Sequence, residues 1–114
     1  MSRDDFYDVL KNWCNNKEYP TTESRSLVPY PNDTVVVTEE RGGFYPAENK
    51  KSSADEKKFS EHETIQYDQT LTKEDLENQL EDLVKKVKSQ VDQYLNDENN
   101  AGRKVFTSEP FTWK

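Results

Sequence analysis

Residues 71–96 read LTKEDLENQLEDLVKKVKSQVDQYLN, and this stretch decides the fold that the sequence predicts. Thr72 stands three residues ahead of Asp75, and Leu71 and Leu76 flank that cap as a hydrophobic staple, so a helix starts here. Apolar residues follow at Leu76, Leu80, Leu83, Val84, Val87, Val91, Tyr94 and Leu95, a single stripe at helical spacing. Glu81–Lys85 and Asp82–Lys86 are i,i+4 pairs in the favourable orientation. Asparagines ahead of Gly102 end the run. The expectation is one long amphipathic helix over 72–97. Leu76 and Val87, Leu80 and Val91, and Val84 and Leu95 repeat every eleven residues. That spacing keeps the stripe in line on a nearly straight helix, whereas a heptad imposes a left-handed supercoil. The helix is therefore expected to lie on a sheet or a partner, with self-association as a second use of its face.

The flanking chain is weaker in signal. Ser2 and Asp5 form a capping box for a short helix over 4–14, with Phe6, Val9, Leu10 and Trp13 on one face. At about three turns it needs a surface to lie on. Thr34-Val35-Val36-Val37-Thr38 is β-branched throughout and predicts a short strand, and Thr64-Ile65-Gln66-Tyr67 alternates like a second. Arg41-Gly42-Gly43 reads as a flexible turn. Residues 47–63 mix lysines with acids and hold Phe59 as their one large apolar side chain, the composition of a solvated linker. The predicted fold class is mainly α with little β. A single unit comprises an N-terminal helix in 1–16, an extended segment 17–46 containing strand 34–38, and the polar linker 47–63. A short strand and the amphipathic helix follow in 64–100, then an aromatic tail in 101–114.

Composition narrows the function. The 114 residues carry 23 acids and 16 Lys or Arg, a net charge of −7. Leu, Ile, Val and Phe number 22, just under the ~20% at which a chain has difficulty burying enough apolar surface to stay folded alone. An acidic surface repels phosphate backbones and anionic headgroups, so neither direct nucleic-acid nor membrane binding is expected. No apolar run approaches the ~18 residues of a membrane span. One cysteine, Cys14, forms no internal disulfide and suits a reducing compartment. The expected location is intracellular and cytoplasmic, or a virion for a viral chain.

Catalytic patterns are missing. The three glycines build neither a phosphate loop nor a dinucleotide fingerprint. His62-Glu63 lacks the second histidine of a zinc-protease helix, and one Cys with one His falls short of a structural zinc set. No cofactor, metal or catalytic residue is expected, and the chain reads as no enzyme.

Aromatic–proline clusters carry the functional expectation. All five prolines adjoin an aromatic: Tyr19-Pro20, Pro29-Tyr30-Pro31, Tyr45-Pro46 and Pro110-Phe111. Proline stiffens its neighbours in an extended conformation, which lowers the entropy an adjacent aromatic loses on docking. The leading reading is a structural or assembly protein that docks onto a larger protein complex, such as a virion or filament lattice. Its anchors are Phe6, Trp13, Tyr30, Phe44, Tyr45, Phe106, Phe111 and Trp113, with the helix face Leu80, Val84, Val87 and Val91. The alternative is a compact acidic α+β inhibitor or adaptor that blocks a basic, nucleic-acid-binding site.

Overall fold

The computed structural model describes residues 1–15, 23–45, 57–96 and 104–105. Helix α1 spans Arg3–Asn15 and helix α2 spans Lys73–Asn96. Strands β1 (Glu23–Tyr30), β2 (Thr34–Tyr45) and β3 (Lys57–Gln66) form an antiparallel sheet in the order β1-β2-β3. The two-residue β4, Lys104–Val105, pairs with β2 at Tyr45 and Phe44. Because Phe44 also pairs with Lys57 of β3, β4 sits on the edge of β2 that β1 uses farther along.

Both predicted caps are present. The Asp5 N–H donates to Ser2 Oγ at 3.1 Å, and the Asp75 N–H donates to Thr72 Oγ1 at 3.1 Å. Each bond satisfies a helix N–H that has no partner within the helix. The α2 stripe turns inward onto β2 and β3, with Leu76, Leu80, Leu83, Val87 and Val91 buried. Helix α1 packs on β1 and α2 through Phe6 and Leu10. Both helices therefore cover one face of the sheet.

The expectation of a mainly α chain with little β is corrected. The protein is α+β, with strands of 8, 12 and 10 residues beside helices of 13 and 24. The strand expected over 34–38 continues through Glu39, Glu40 and Arg41 to Tyr45. The segment expected to be extended holds the β1–β2 hairpin, and residues 57–63 of the expected linker belong to β3. The common cause is polar strand residues. β3 turns Phe59, Glu61, Glu63 and Ile65 toward the helices and exposes Ser60, His62, Thr64 and Gln66, so its alternation is one of burial more than of hydropathy.

Two backbone features set the sheet's geometry. Asn32 and Asp33 at the hairpin tip have φ of 64° and 54°, a left-handed conformation that Asn and Asp tolerate better than other residues with a Cβ. Asp33 is also a fastening point, because its carboxylate accepts from Tyr7 at 3.3 Å and pairs with Arg3 at 2.7 Å. At Gly42–Gly43 the β2–β3 register slips by one residue, with Gly43 at φ 85°. This bulge changes which side chains point inward. Val35, Val37, Glu39 and Arg41 face the helices before it, and Phe44 does so after it. Phe44 thereby seeds a second cluster with Val87, Val91, Phe59 and Tyr94.

A Cβ at Gly43 costs about 1–2 kcal/mol in this conformation. Gly43→Ala is expected to lower the unfolding free energy by that amount, read as a lower urea midpoint with an unchanged slope, and Gly43→Asn to lose less. Wild-type stability in Gly43→Ala would remove the bulge from its place in the fold.

Candidate functional site

The inner face of β1 and β2 carries an alternation of charge. Glu23 and Arg25 are two apart on β1, Glu39 and Arg41 two apart on β2, so each pair projects to the same side. The antiparallel register sets Glu23 opposite Arg41 and Arg25 opposite Glu39. A closed ring results. Arg25 Nε lies 2.6 Å from Glu23 and 2.7 Å from Glu39, while Arg41 lies 3.0 Å from Glu23 and 2.9 Å from Glu39. All four side chains are withdrawn from water, the most exposed at 6%.

The ring reaches α1 through Arg25. Its guanidinium donates to the Trp13 carbonyl at 2.8 Å and lies 4.5 Å from the Trp13 ring centre. The last turn of α1 has no basic residue of its own, so Arg25 supplies the cation that a helix C-terminus favours. On the other side, Glu39 pairs with Glu61 of β3, whose carboxylate accepts from the Gln90 amide of α2 at 2.5 Å. Burial, followed by the neighbouring Glu23 charge, pushes the Glu39 carboxyl up from 4.5 to about 7, against the pull of Arg41 and Arg25.

Above the ring's Arg25 corner, α1 and α2 diverge and leave an open groove of about 930 Å³. Its floor is apolar, formed by Val9 and Trp13 of α1 with Leu80 and Val84 of α2. Asp5, Asp8, Glu77 and Glu81 line it toward the helix starts, and Lys85 and Lys88 toward the far end. Glu81 and Lys85 pair along α2 at 3.3 Å, Lys73 and Glu77 at 3.8 Å. These exposed pairs are worth little and yield readily to other partners.

The anchors expected from sequence divide into four groups. Phe6, Phe44, Leu80, Val87 and Val91 are buried, at 2% exposure or less. Trp13 and Val84 are half-buried and meet in the groove. Tyr30 is 53% exposed and lies on the outer sheet face beside Val28, at 45%. Tyr45 lies in β2, with its side chain outside the described residues, as are Phe106, Phe111 and Trp113. Sequence reasoning took Asp5 as a capping residue only and passed over Asp8 and the whole ionic ring. The ring did leave a signal: Glu23-Ser24-Arg25 and Glu39-Glu40-Arg41 repeat one opposite-charge pair at strand spacing.

No nucleophile–base pair is assembled from Cys14 and His62. Cys14 lies near the end of α1, and His62 is exposed on the face of β3 turned away from the helices. Among the described residues no group of three or more His, Cys, Asp or Glu is placed to hold a metal ion, and no helix is long and apolar enough to cross a membrane. Comparison with protein-family models, curated proteins and solved structures finds no match to this chain.

Folding raises the Glu39 pKa, so this carboxyl favours the folded chain fully below its ordinary 4.5, and that contribution fades as the pH rises through about 7. Glu39→Gln is expected to remove this fall between pH 4.5 and 7 in urea unfolding. Arg41→Met leaves two buried carboxylates with Arg25 as their one remaining ring cation and is expected to cost about 3–5 kcal/mol at neutral pH. An identical pH profile in Glu39→Gln would assign the titration to another group.

Proposed function

We propose that this chain is a non-enzymatic adaptor, a compact acidic α+β protein that docks onto a larger protein complex through its helical layer. The observation that carries this reading is the groove, where an apolar floor lies open between two charged helix faces. Interfaces place their energy in such sites, with an aromatic anchor at the centre and polar groups at the rim. Trp13 is that anchor, held from one side by Arg25. The docking face expected over Leu80, Val84, Val87 and Val91 thereby contracts to Val84, because Leu80, Val87 and Val91 are buried in the core.

The remaining features agree with a binding role. Lys104–Val105 fastens the C-terminal segment to β2, just ahead of the aromatics expected to act as anchors. The setting that suits the chain is the inside of a cell, or a virion assembled there, where Cys14 stays reduced.

A second reading, an inhibitor that covers a basic site, draws on one further observation. Asp4 and Asp5 open α1, Glu74 and Asp75 open α2, and the two helix starts adjoin, with Met1 donating to the Leu71 carbonyl at 3.0 Å. Lys73, Lys85, Lys86 and Lys88 interrupt the acidic surface along α2, which favours the adaptor.

The test is cross-linking and size fractionation of the full chain in the cells that make it. The expected result is migration with a larger protein complex at fixed stoichiometry. Deleting residues 106–114 is expected to weaken that association at least ~10-fold while the circular-dichroism signal of α2 persists. A chain that fractionates alone at its native concentration would overturn the reading.

A further inference from the structure

The groove has a direction as well as a composition. Met1 and Lys73 line its beginning, Trp13 and Lys88 its end, so α1 and α2 run the same way along it. Two aligned helices add their macrodipoles, with positive ends together at the start of the groove and negative ends toward Trp13 and Lys88. The side chains oppose that field. Asp5, Asp8, Glu77 and Glu81 outnumber Lys73 and the Met1 ammonium in the first half, and Lys85, Lys88 and Arg25 stand in the second.

We propose that the groove takes an amphipathic α-helix of a partner protein, about fifteen residues long and antiparallel to α1 and α2, acidic in its first turn and basic in its last. This inference rests on the docking reading and names the occupant of the same site. The length follows from the Lys73–Lys88 span at 1.5 Å per residue, about 22 Å. The direction follows from charge. A helix ordinarily carries acids at its N-terminus and bases at its C-terminus. Laid antiparallel, it sets its basic turn on Asp5, Asp8, Glu77 and Glu81 and its acidic turn on Lys85 and Lys88. Its own dipole then opposes the two already present.

Helical form follows from the backbone. The walls of the groove are helices, whose N–H and C=O groups are already bonded to one another along their length. An extended peptide would find no ladder partners there, whereas a helix satisfies its own backbone. A second copy of the chain is a poor source of this helix. What the stripes of its α1 and α2 leave outside the core, Val9, Trp13 and Val84, is the groove itself and not a separate face that could enter one.

The probes are two synthetic fifteen-residue peptides of equal composition, each with a Leu/Ala stripe at helical spacing. One is acidic first and basic last, and the other has the charge order reversed. Each is titrated into the full ¹⁵N-labelled chain, with Trp113→Phe added so that fluorescence reports Trp13. The acidic-first peptide is expected to bind at least ~10-fold more tightly, to become helical, and to shift the amides of residues 5–13 and 77–88. Val84→Glu is expected to abolish this binding, and Val28→Glu, on the outer sheet face, to leave it intact. Equal affinity for the two peptides, shifts confined to the outer face, or no shifts at ~1 mM would overturn the proposal. So would groove shifts produced by a peptide of residues 106–114, or by raising the protein concentration alone, which would assign the groove to the chain's own tail or to a second copy. Partner association in cells without peptide selectivity would remove this occupant and leave the docking reading. Peptide selectivity with a chain that fractionates alone in cells would remove the docking reading instead.

Discussion

The ring of Glu23, Arg25, Glu39 and Arg41 is the constraint on which the rest of the structure depends. Each member would be costly to bury singly. Together they are neutral, and each arginine lies between two carboxylates. Such a ring adds little net stability over a well-packed apolar layer, because desolvation offsets most of its Coulomb energy. Its effect is on register. Sliding β1 by one residue along β2 would break the two cross-strand contacts, Arg25–Glu39 and Arg41–Glu23, and turn the β1 charges outward. The β1–β2 hairpin is held in place by that penalty more than by its modest apolar content.

The ring also divides the interior. On one side lies the larger apolar cluster, where Phe6 and Leu10 of α1 meet Val35, Val37, Ile65 and the first half of α2. On the other lies the smaller cluster of Phe44, Val87 and Val91. The Gly42–Gly43 bulge stands between ring and smaller cluster, and it is what turns Phe44 inward after a run of odd-numbered inward residues. Helix α2 spans the whole arrangement, and α1 covers only the larger cluster and the Arg25 corner. The groove is a consequence. A 13-residue helix beside a 24-residue one, fixed at its end by Arg25 and at its start by Asp33, leaves part of the α2 flank uncovered.

Much of the helical layer was legible in the sequence. Ser2 and Thr72 cap as their spacing predicts, and the α2 stripe turns inward along Leu76, Leu80, Leu83, Val87 and Val91. The strands were harder to read. Only Thr34–Thr38 has strong β character. Glu39 to Gly43 reads as charge followed by a turn, yet it continues the strand. β3 hides its period because Glu61 and Glu63 occupy inward positions that an apolar pattern assigns to Val or Ile. Of the candidate site, Trp13, Leu80 and Val84 are named from sequence, Asp5 is read there as a capping residue, and Asp8 carries no local signal of a site.

The sequence by itself determined what depends on neighbours within a few residues: the two helices, their caps, their apolar faces, and the chain's acidic balance. Those features rest on i,i+3 and i,i+4 spacing, which a linear reading contains in full. Only the tertiary structure decided that Glu23, Arg25, Glu39 and Arg41 face inward, that β1 and β3 exist as long strands, and that Trp13 and Val84 meet across a groove. Each buried charge has one counter-charge two residues away on its own strand and a second that arrives only when the two strands pair. The cross-strand partners are fourteen and eighteen residues apart in the chain, beyond the reach of local pattern.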